Sequence, residues 1–337
     1  MKIRKFCVAF CVSLTVIFAS HSLVSCSLVP GYTEPEEQSI AAALGFDASD
    51  GNVKVTVQIS ESEGKKSRAI SGEGATIESA VSSLVAGETK AIETAHVSII
   101  ALGKGIDAAW FAKIMDYCAR NEDISVSAQL ISCTDANALL SIESAGGYEL
   151  SGAISKSREN SSVGAECRFY QIENALSRKG ATFAIPYFTA DEGKLELYGV
   201  RIYRDGEARV ILNRVESAYY MMIRGLFDRG LLDSDAPGLS GSVGISDCKT
   251  KYDFSREGDA VVLTVNCVVT LDSELANDEY ADEICHAAQK GMERLYLELS
   301  SRHGDLFGFL EAADRKGVSS DRLSDSLIVV FECTERR

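Results

Sequence analysis

The sequence predicts an α+β protein, built as three consecutive mixed α/β domains behind a lipoprotein signal and a tether. Three observations carry this. Short runs alternate apolar and polar residues, as in Val53, Val55, Val57 and Ile59 set between Lys54, Thr56 and Gln58, which is the period of a half-buried strand. Between them lie runs of helical period, the longest being Tyr280, Ile284, Ala288, Met292, Leu295 and Leu299. Two Ser/Gly-rich stretches, 151–164 and 238–244, then divide the chain. The predicted units are residues 39–150, 165–235 and 245–337, a division in keeping with a mature chain of about 310 residues.

The N-terminus is read first by its chemistry. Lys2, Arg4 and Lys5 precede an apolar and small-residue run from Phe6 to Ser20, and Leu23-Val24-Ser25 lead into Cys26. This is the layout of a lipoprotein signal, residues 1–25, with Cys26 as the lipidation site: its thiol carries the thioether-linked lipid, and small residues before it admit the peptidase. A spanning helix needs about 20 apolar residues, and this run is shorter and is followed by His21. Residues 26–38 contain Pro30, Gly31 and Pro35 with three glutamates and read as the lipidated tether.

Along the first unit, Asn52 to Ile59 is a strand and Glu61 to Gly74 a charged Gly/Ser-rich loop. A helix over 75–85 opens with a threonine-x-x-serine start. His96 to Leu102 is an apolar strand, Ile106 to Ala119 a helix holding the sole tryptophan, Trp110, Ser125 to Ile131 a strand, and Asp135 to Ile142 a short helix. Ser151 to Gly164 is expected to be a linker. In the second unit Arg168 to Ser177 is helical, and Leu195–Tyr203 and Ala208–Leu212 form a hairpin about Asp205-Gly206. Val215, Ala218, Tyr219, Met222, Leu226 and Phe227 share one face of a helix that ends at Gly230. The third unit has strands at 248–254 and 261–269, the long helix, a short helix from Leu306 to Ala313 capped by Asp305, and a final strand from Leu327 to Phe331.

Charge excludes some functions. The chain carries a formal charge of −15, and loss of Lys2, Arg4 and Lys5 with the signal makes the mature body more acidic still. Nucleic acid requires Lys/Arg patches, so no nucleic-acid partner is expected, and lipid rather than charge must hold the body to a membrane. After Cys26 the cysteines are Cys118, Cys133, Cys167, Cys248, Cys267, Cys285 and Cys333, with no CxxC and no Cys/His metal spacing. They read as buried small hydrophobes, although an exported compartment also permits one or two disulfides.

Catalytic signatures fail one by one. Gly238-Leu239-Ser240-Gly241-Ser242 misses the last glycine of a nucleophile elbow, and Gly103-Lys104-Gly105 lacks both the upstream glycine and the hydroxyl residue of a P-loop. None of His96, His286 and His303 has a histidine or cysteine at i+3 or i+4 that would build a metal face; His96 suits a structural hydrogen bond, the other two a solvated or charge-complementing role. No catalytic, cofactor-binding or metal residue is assigned, and the expectation is a protein that is not an enzyme.

Several strings, in order, carry a resemblance. Ala43-Leu44-Gly45-Phe46-Asp47 followed by Val53 to Gln58, Thr94-Ala95-His96-Val97 through Leu102-Gly103 with Gly105-Ile106, Gly199, Tyr203, Leu212 and Glu216, and Asp305-Leu306-Phe307-Gly308-Phe309 are similar to the C subunit of spore germinant receptors, the GerAC-like lipoproteins. Arg201 and Val210 stand where that pattern has a small residue and a glycine. The resemblance implies a non-enzymatic subunit of three α+β domains at the outer face of the spore inner membrane, partnered by the integral-membrane A and B subunits. A solute-binding lipoprotein of a transporter and an extracytoplasmic lipoprotein enzyme remain the alternatives.

Overall fold

A computed structural model describes residues 38–60, 67–142, 146–160, 167–178, 180–191, 194–234, 241–257, 260–272, 278–318 and 327–336. The signal, Cys26 and the tether up to residue 37 lie outside them. The fold is α+β, with two mixed sheets. The larger has nine strands: β1 (Gln38–Ser49), β2 (Asn52–Ser60), β3 (Ser67–Gly74), β4 (Ala91–Glu93), β5 (Ile99–Leu102), β6 (Gln129–Cys133), β7 (Thr182–Asp191), β8 (Lys194–Arg204) and β9 (Glu207–Leu212). Its order is β3-β2-β1-β5-β6-β7-β8-β9, with β4 beside the start of β1. β1, β5, β6 and β7 run parallel, and antiparallel ladders flank them on both sides.

Helices cover both faces of this sheet, as parallel strands require. On one face lie α1 (Ile77–Val85), α2 (Ala108–Arg120) and α5 (Phe169–Leu176), whose Leu84, Phe111, Ile114 and Ile172 pack on Phe46, Val55, Ile100 and Leu130. On the other lie α3 (Ala136–Leu140) and α4 (Gly147–Asn160), packed on Ala43, Ile99 and Ile131. Side-chain oxygens of Thr76, Asp107 and Asp135 accept N–H bonds at the starts of α1, α2 and α3, so each helix begins where a polar cap precedes an apolar run. The Thr76–Ser79 pair closes a capping box.

The structure departs from the sequence reading at identifiable places. Residues 67–74, expected as loop, form edge strand β3, because eight residues pair with β2 and Gly72 and Gly74 let α1 come close enough that a Cβ would lie 2.2 Å from the Ala80 carbonyl. Residues 151–160, expected as linker, belong to α4, where Leu150 and Ile154 are buried one turn apart. The sheet passes over the segment between the first two predicted units, since Ser132 and Cys133 of β6 pair with Tyr187 and Phe188 of β7. The hairpin at Asp205-Gly206 is present with φ of 52° and 80°, a two-residue turn that demands left-handed backbone at both positions.

The smaller sheet, β10 (Gly230–Ser234), β11 (Gly241–Glu257), β12 (Ala260–Leu271) and β13 (Leu327–Glu335), carries α7 (Asp278–His303) on one face. Residues 241–244, read as part of a flexible break, begin β11; residues 238–240 are outside the described set. Helix α6 (Arg214–Ile223) ends earlier than its apolar face suggested, with Gly225 at φ 65° turning the chain. It is the hinge of the core, touching Val200 and Ile202 of the large sheet as well as Leu263 and Met292 of the C-terminal unit. Short helix α8 (Phe309–Arg315) starts three residues later than expected, from Gly308. Asp305 still serves it, accepting the Phe307 and Leu310 N–H groups at 3.1 and 2.9 Å.

Where α6 crosses α7, Gly291 faces the buried Tyr219, and a Cβ there would lie 2.3 to 2.7 Å from three ring atoms. Gly291→Ala is therefore expected to lower stability by about 1–3 kcal/mol through overpacking, although alanine is the better helix former by about 1 kcal/mol. The midpoint of urea unfolding gives the sign directly; a rise would show that helix propensity outweighs the crowding.

Candidate functional site

The parallel strands end together, and the loops leaving their carboxyl ends are tied by one side chain. Asp47, at the end of β1, is 3% exposed. Its Oδ1 accepts the N–H groups of Lys104 and Ala136, each at 3.0 Å, and its Oδ2 that of Asn137 at 2.9 Å. One carboxylate thus fixes the loop after β5 and the first turn of α3 after β6. Backbone bonds extend the tie: Gly103 N–H donates to Phe46 and Ala48 N–H to Lys104. Gly105 has φ 69°, and a Cβ there would sit 1.9 Å from the Ala48 carbonyl, so this approach excludes other residues. The motif residues Asp47, Gly103 and Gly105, remote in sequence, are one structural unit.

That unit walls a cleft of about 730 Å³, bounded by residues 103–107, Cys133, Thr134, Tyr187, Arg201 and the 207–211 stretch of β9. A cleft outside the carboxyl ends of parallel strands is where open α/β sheets hold ligands. Arg201 donates to Ser132 Oγ at 2.9 Å, and its guanidinium lies 4.7 Å from the centre of the Tyr187 ring. Ser132 Oγ is 3.1 Å from Tyr203 Oη, and Thr134 Oγ1 is 2.9 Å from Tyr187 Oη. Burial pushes the Tyr203 hydroxyl and the Cys133 thiol up from their ordinary values, so both stay protonated at neutral pH. Lys104, on the rim, pairs with Asp135 at 2.6 Å, which raises its ammonium. Partial burial pushes the Asp135 carboxyl up, but bonds from Lys104 and the Ala138 N–H outweigh it and hold the group below the carboxylate range. A smaller cavity of about 260 Å³ lies across Lys104, beside Asp47, Lys54 and Glu73.

The chemistry offered here is recognition: a guanidinium, hydroxyls and an aromatic face. Cys133, its thiol raised, is the nucleophile type in the wall, and the histidines lie elsewhere: His96 and His286 are exposed, and His303 ends α7 with its carbonyl 3.4 Å from Arg204. Among the described residues no group of three His, Cys, Asp or Glu is placed to hold a metal ion. The seven cysteines among the described residues are free thiols, six of them buried, as small hydrophobes would be.

The other motif residues are structural. At Gly199 a Cβ would lie 1.9 Å from the Leu212 carbonyl, and Glu216 completes a capping box with Asn213 at the start of α6. Sequence reasoning missed Arg201 and Val210 as site residues, though it had marked both as departures from the family pattern; both line the cleft. The predicted site residue, Cys26, lies outside the described residues. No helix among those residues is long and apolar enough to cross a membrane.

Residues 31–190 match the family model described as the spore germination protein N-terminal domain. A solved structure described as "Crystal Structure of the GerBC protein" aligns over 89% of this chain and 98% of its own, at 14% identity and a TM-score of 0.49. No match is found among curated protein sequences.

Proposed function

We propose, from the match of residues 31–190 to the family model described as the spore germination protein N-terminal domain, that the protein is the lipid-anchored, non-catalytic subunit of a nutrient germinant receptor. The family match is the observation that carries this reading. The lipobox supports the anchor, with Cys26 carrying the acyl chains (palmitate among them) and residues 26–38 as the tether. Two or more chains, at about 0.8 kcal/mol per buried CH₂, suffice for stable retention. The body then sits outside the cytoplasm, at the outer face of the spore inner membrane, and supports assembly and signalling with the integral-membrane A and B subunits. We propose the three regions 39–150, 165–235 and 245–337 as its building units, the first two sharing a sheet.

Affinity capture of the tagged, lipidated protein from detergent-solubilised spore membranes tests the reading. Recovery of a many-helix membrane protein together with a partner bearing a large soluble domain is expected. Recovery of ABC-transporter components would favour the solute-binding alternative. In parallel, Cys26→Ala is expected to move the protein from the membrane to the soluble fraction and to impair germination; unchanged retention would refute the anchor.

A further inference from the structure

We infer that the cleft at the carboxyl ends of β5 and β6, beside Tyr187 of β7, binds a small organic carboxylate through the guanidinium of Arg201. This rests on the cleft alone and stands or falls separately from the receptor reading.

The argument is one of a cation left without a counter-charge. The cleft's other cations each hold a carboxylate, Lys104 that of Asp135 at 2.6 Å and Arg209 that of Glu207 at 2.6 Å, while Asp107 is turned to the Trp110 N–H at 2.8 Å as the cap of α2 and keeps its negative charge. Arg201 has only neutral partners among the described residues: the Ser132 hydroxyl, the Tyr187 ring and the Tyr203 hydroxyl. A guanidinium offers five N–H donors in a fixed fork, so most of this one's capacity is unspent in a half-buried position. A ligand bringing one negative charge would recover the lost solvation, and a carboxylate fits the fork edge to edge.

Size and lining narrow the ligand. Pockets for small organic molecules span about 300–1,000 Å³, and about 730 Å³ far exceeds a bare inorganic anion. Ile106, Val210, Ile211 and Tyr187 contribute the wall that a hydrocarbon body would meet. A single unpaired cation matches a monoanion better than a doubly charged phosphate. Hydrogen bonds to Ser132 and Tyr203 hold the guanidinium, and the face of the Tyr187 ring lies against it at 4.7 Å. The site is therefore preorganised by residues that themselves come from β6, β7 and β8.

Isothermal titration calorimetry of the full chain in detergent tests this with three probes: benzoate, its neutral isostere benzamide, and inorganic phosphate. Benzoate is expected to bind one to one, with benzamide and phosphate weaker. Because a charge-assisted hydrogen bond contributes about 1.5–3 kcal/mol, Arg201→Gln should weaken benzoate at least about tenfold. Arg201→Lys, which keeps the charge and loses the fork, should also weaken it. No benzoate binding, equal affinity for benzamide, tighter binding of phosphate, or indifference to Arg201→Gln would each overturn the assignment. Should the variants fail to fold, the unaltered chain still decides. Benzoate should slow phenylglyoxal modification of Arg201 several-fold, read by mass spectrometry, while leaving the exposed Arg256 unaffected; absence of protection refutes the site.

Discussion

Replacing Asp47 with alanine is expected to cost about 3–5 kcal/mol of folding stability. Three backbone N–H groups, on Lys104, Ala136 and Asn137, would lose their acceptor at once, and an orphaned buried donor costs about 1–3 kcal/mol. The lower part of the summed range applies because the Lys104 and Asn137 bonds are only part-buried, so water can replace some of what is lost. Against a total stability of about 5–15 kcal/mol for a typical domain, this is a large fraction. Asp47→Asn should cost less. Its single amide oxygen can keep the Lys104 and Ala136 bonds, while its NH₂ would face the Asn137 N–H as donor against donor. Urea unfolding supplies the magnitudes. Hydrogen exchange supplies the location: amides 104, 136 and 137 should lose protection first. An Asp47→Ala protein as stable as its parent would mean that the loop after β5 and the start of α3 hold to β1 without the carboxylate.

The second large effect is expected in the aromatic cluster that closes the C-terminal unit on α6. Phe307 is 2% exposed, and its ring centre lies 5.4 Å from Tyr220, 5.7 Å from Tyr296 and 5.5 Å from Phe309. Phe307→Ala should cost about 3–5 kcal/mol, the usual range for removing a fully buried phenyl ring. The neighbouring tie, Tyr220 Oη donating to the Leu306 carbonyl at 2.9 Å, depends on the same backbone turn. Loss should therefore be felt on both sides of α6, lowering the unfolding midpoint and the near-ultraviolet circular dichroism together. A variant whose C-terminal unit loosens while the large sheet keeps its stability would show that α6 does not couple the two.

Parts of this molecule were legible because their signal is local. The α7 face, the Asp205-Gly206 hairpin and the caps at Thr76 and Asp135 are written in residues a few positions apart. The central strand β1 gave no alternation to read. It is buried on both faces, so its run from Ala41 to Phe46, alanines, leucine, glycine and phenylalanine, shows no polar alternation before Asp47. β3 was hidden for the opposite reason: its Ser, Arg, Glu and Gly content reads as loop, and only pairing with β2 makes it a strand. β7 contains Pro186, which argues against a central strand; it is tolerated because the ladder to β6 begins only at Tyr187. The cleft was the least legible feature. Its wall is drawn from five separate stretches between Gly103 and Ile211, and what makes Arg201 a candidate is that its partners among the described residues are all neutral, which is a fact of three dimensions.

The position of β1 has a mechanical consequence. It is the first described strand, the proposed tether of residues 26–38 would lead into it, and it lies inside the sheet with β2 on one side and β4 and β5 on the other. A pull entering the body at Gln38 along the strand would load all three ladders sideways, so their hydrogen bonds would share the force and yield together. Had the tether led into an edge strand such as β3 or β9, the same pull could have peeled the sheet bond by bond. The proposed leash would thus join the protein where its larger sheet is hardest to tear.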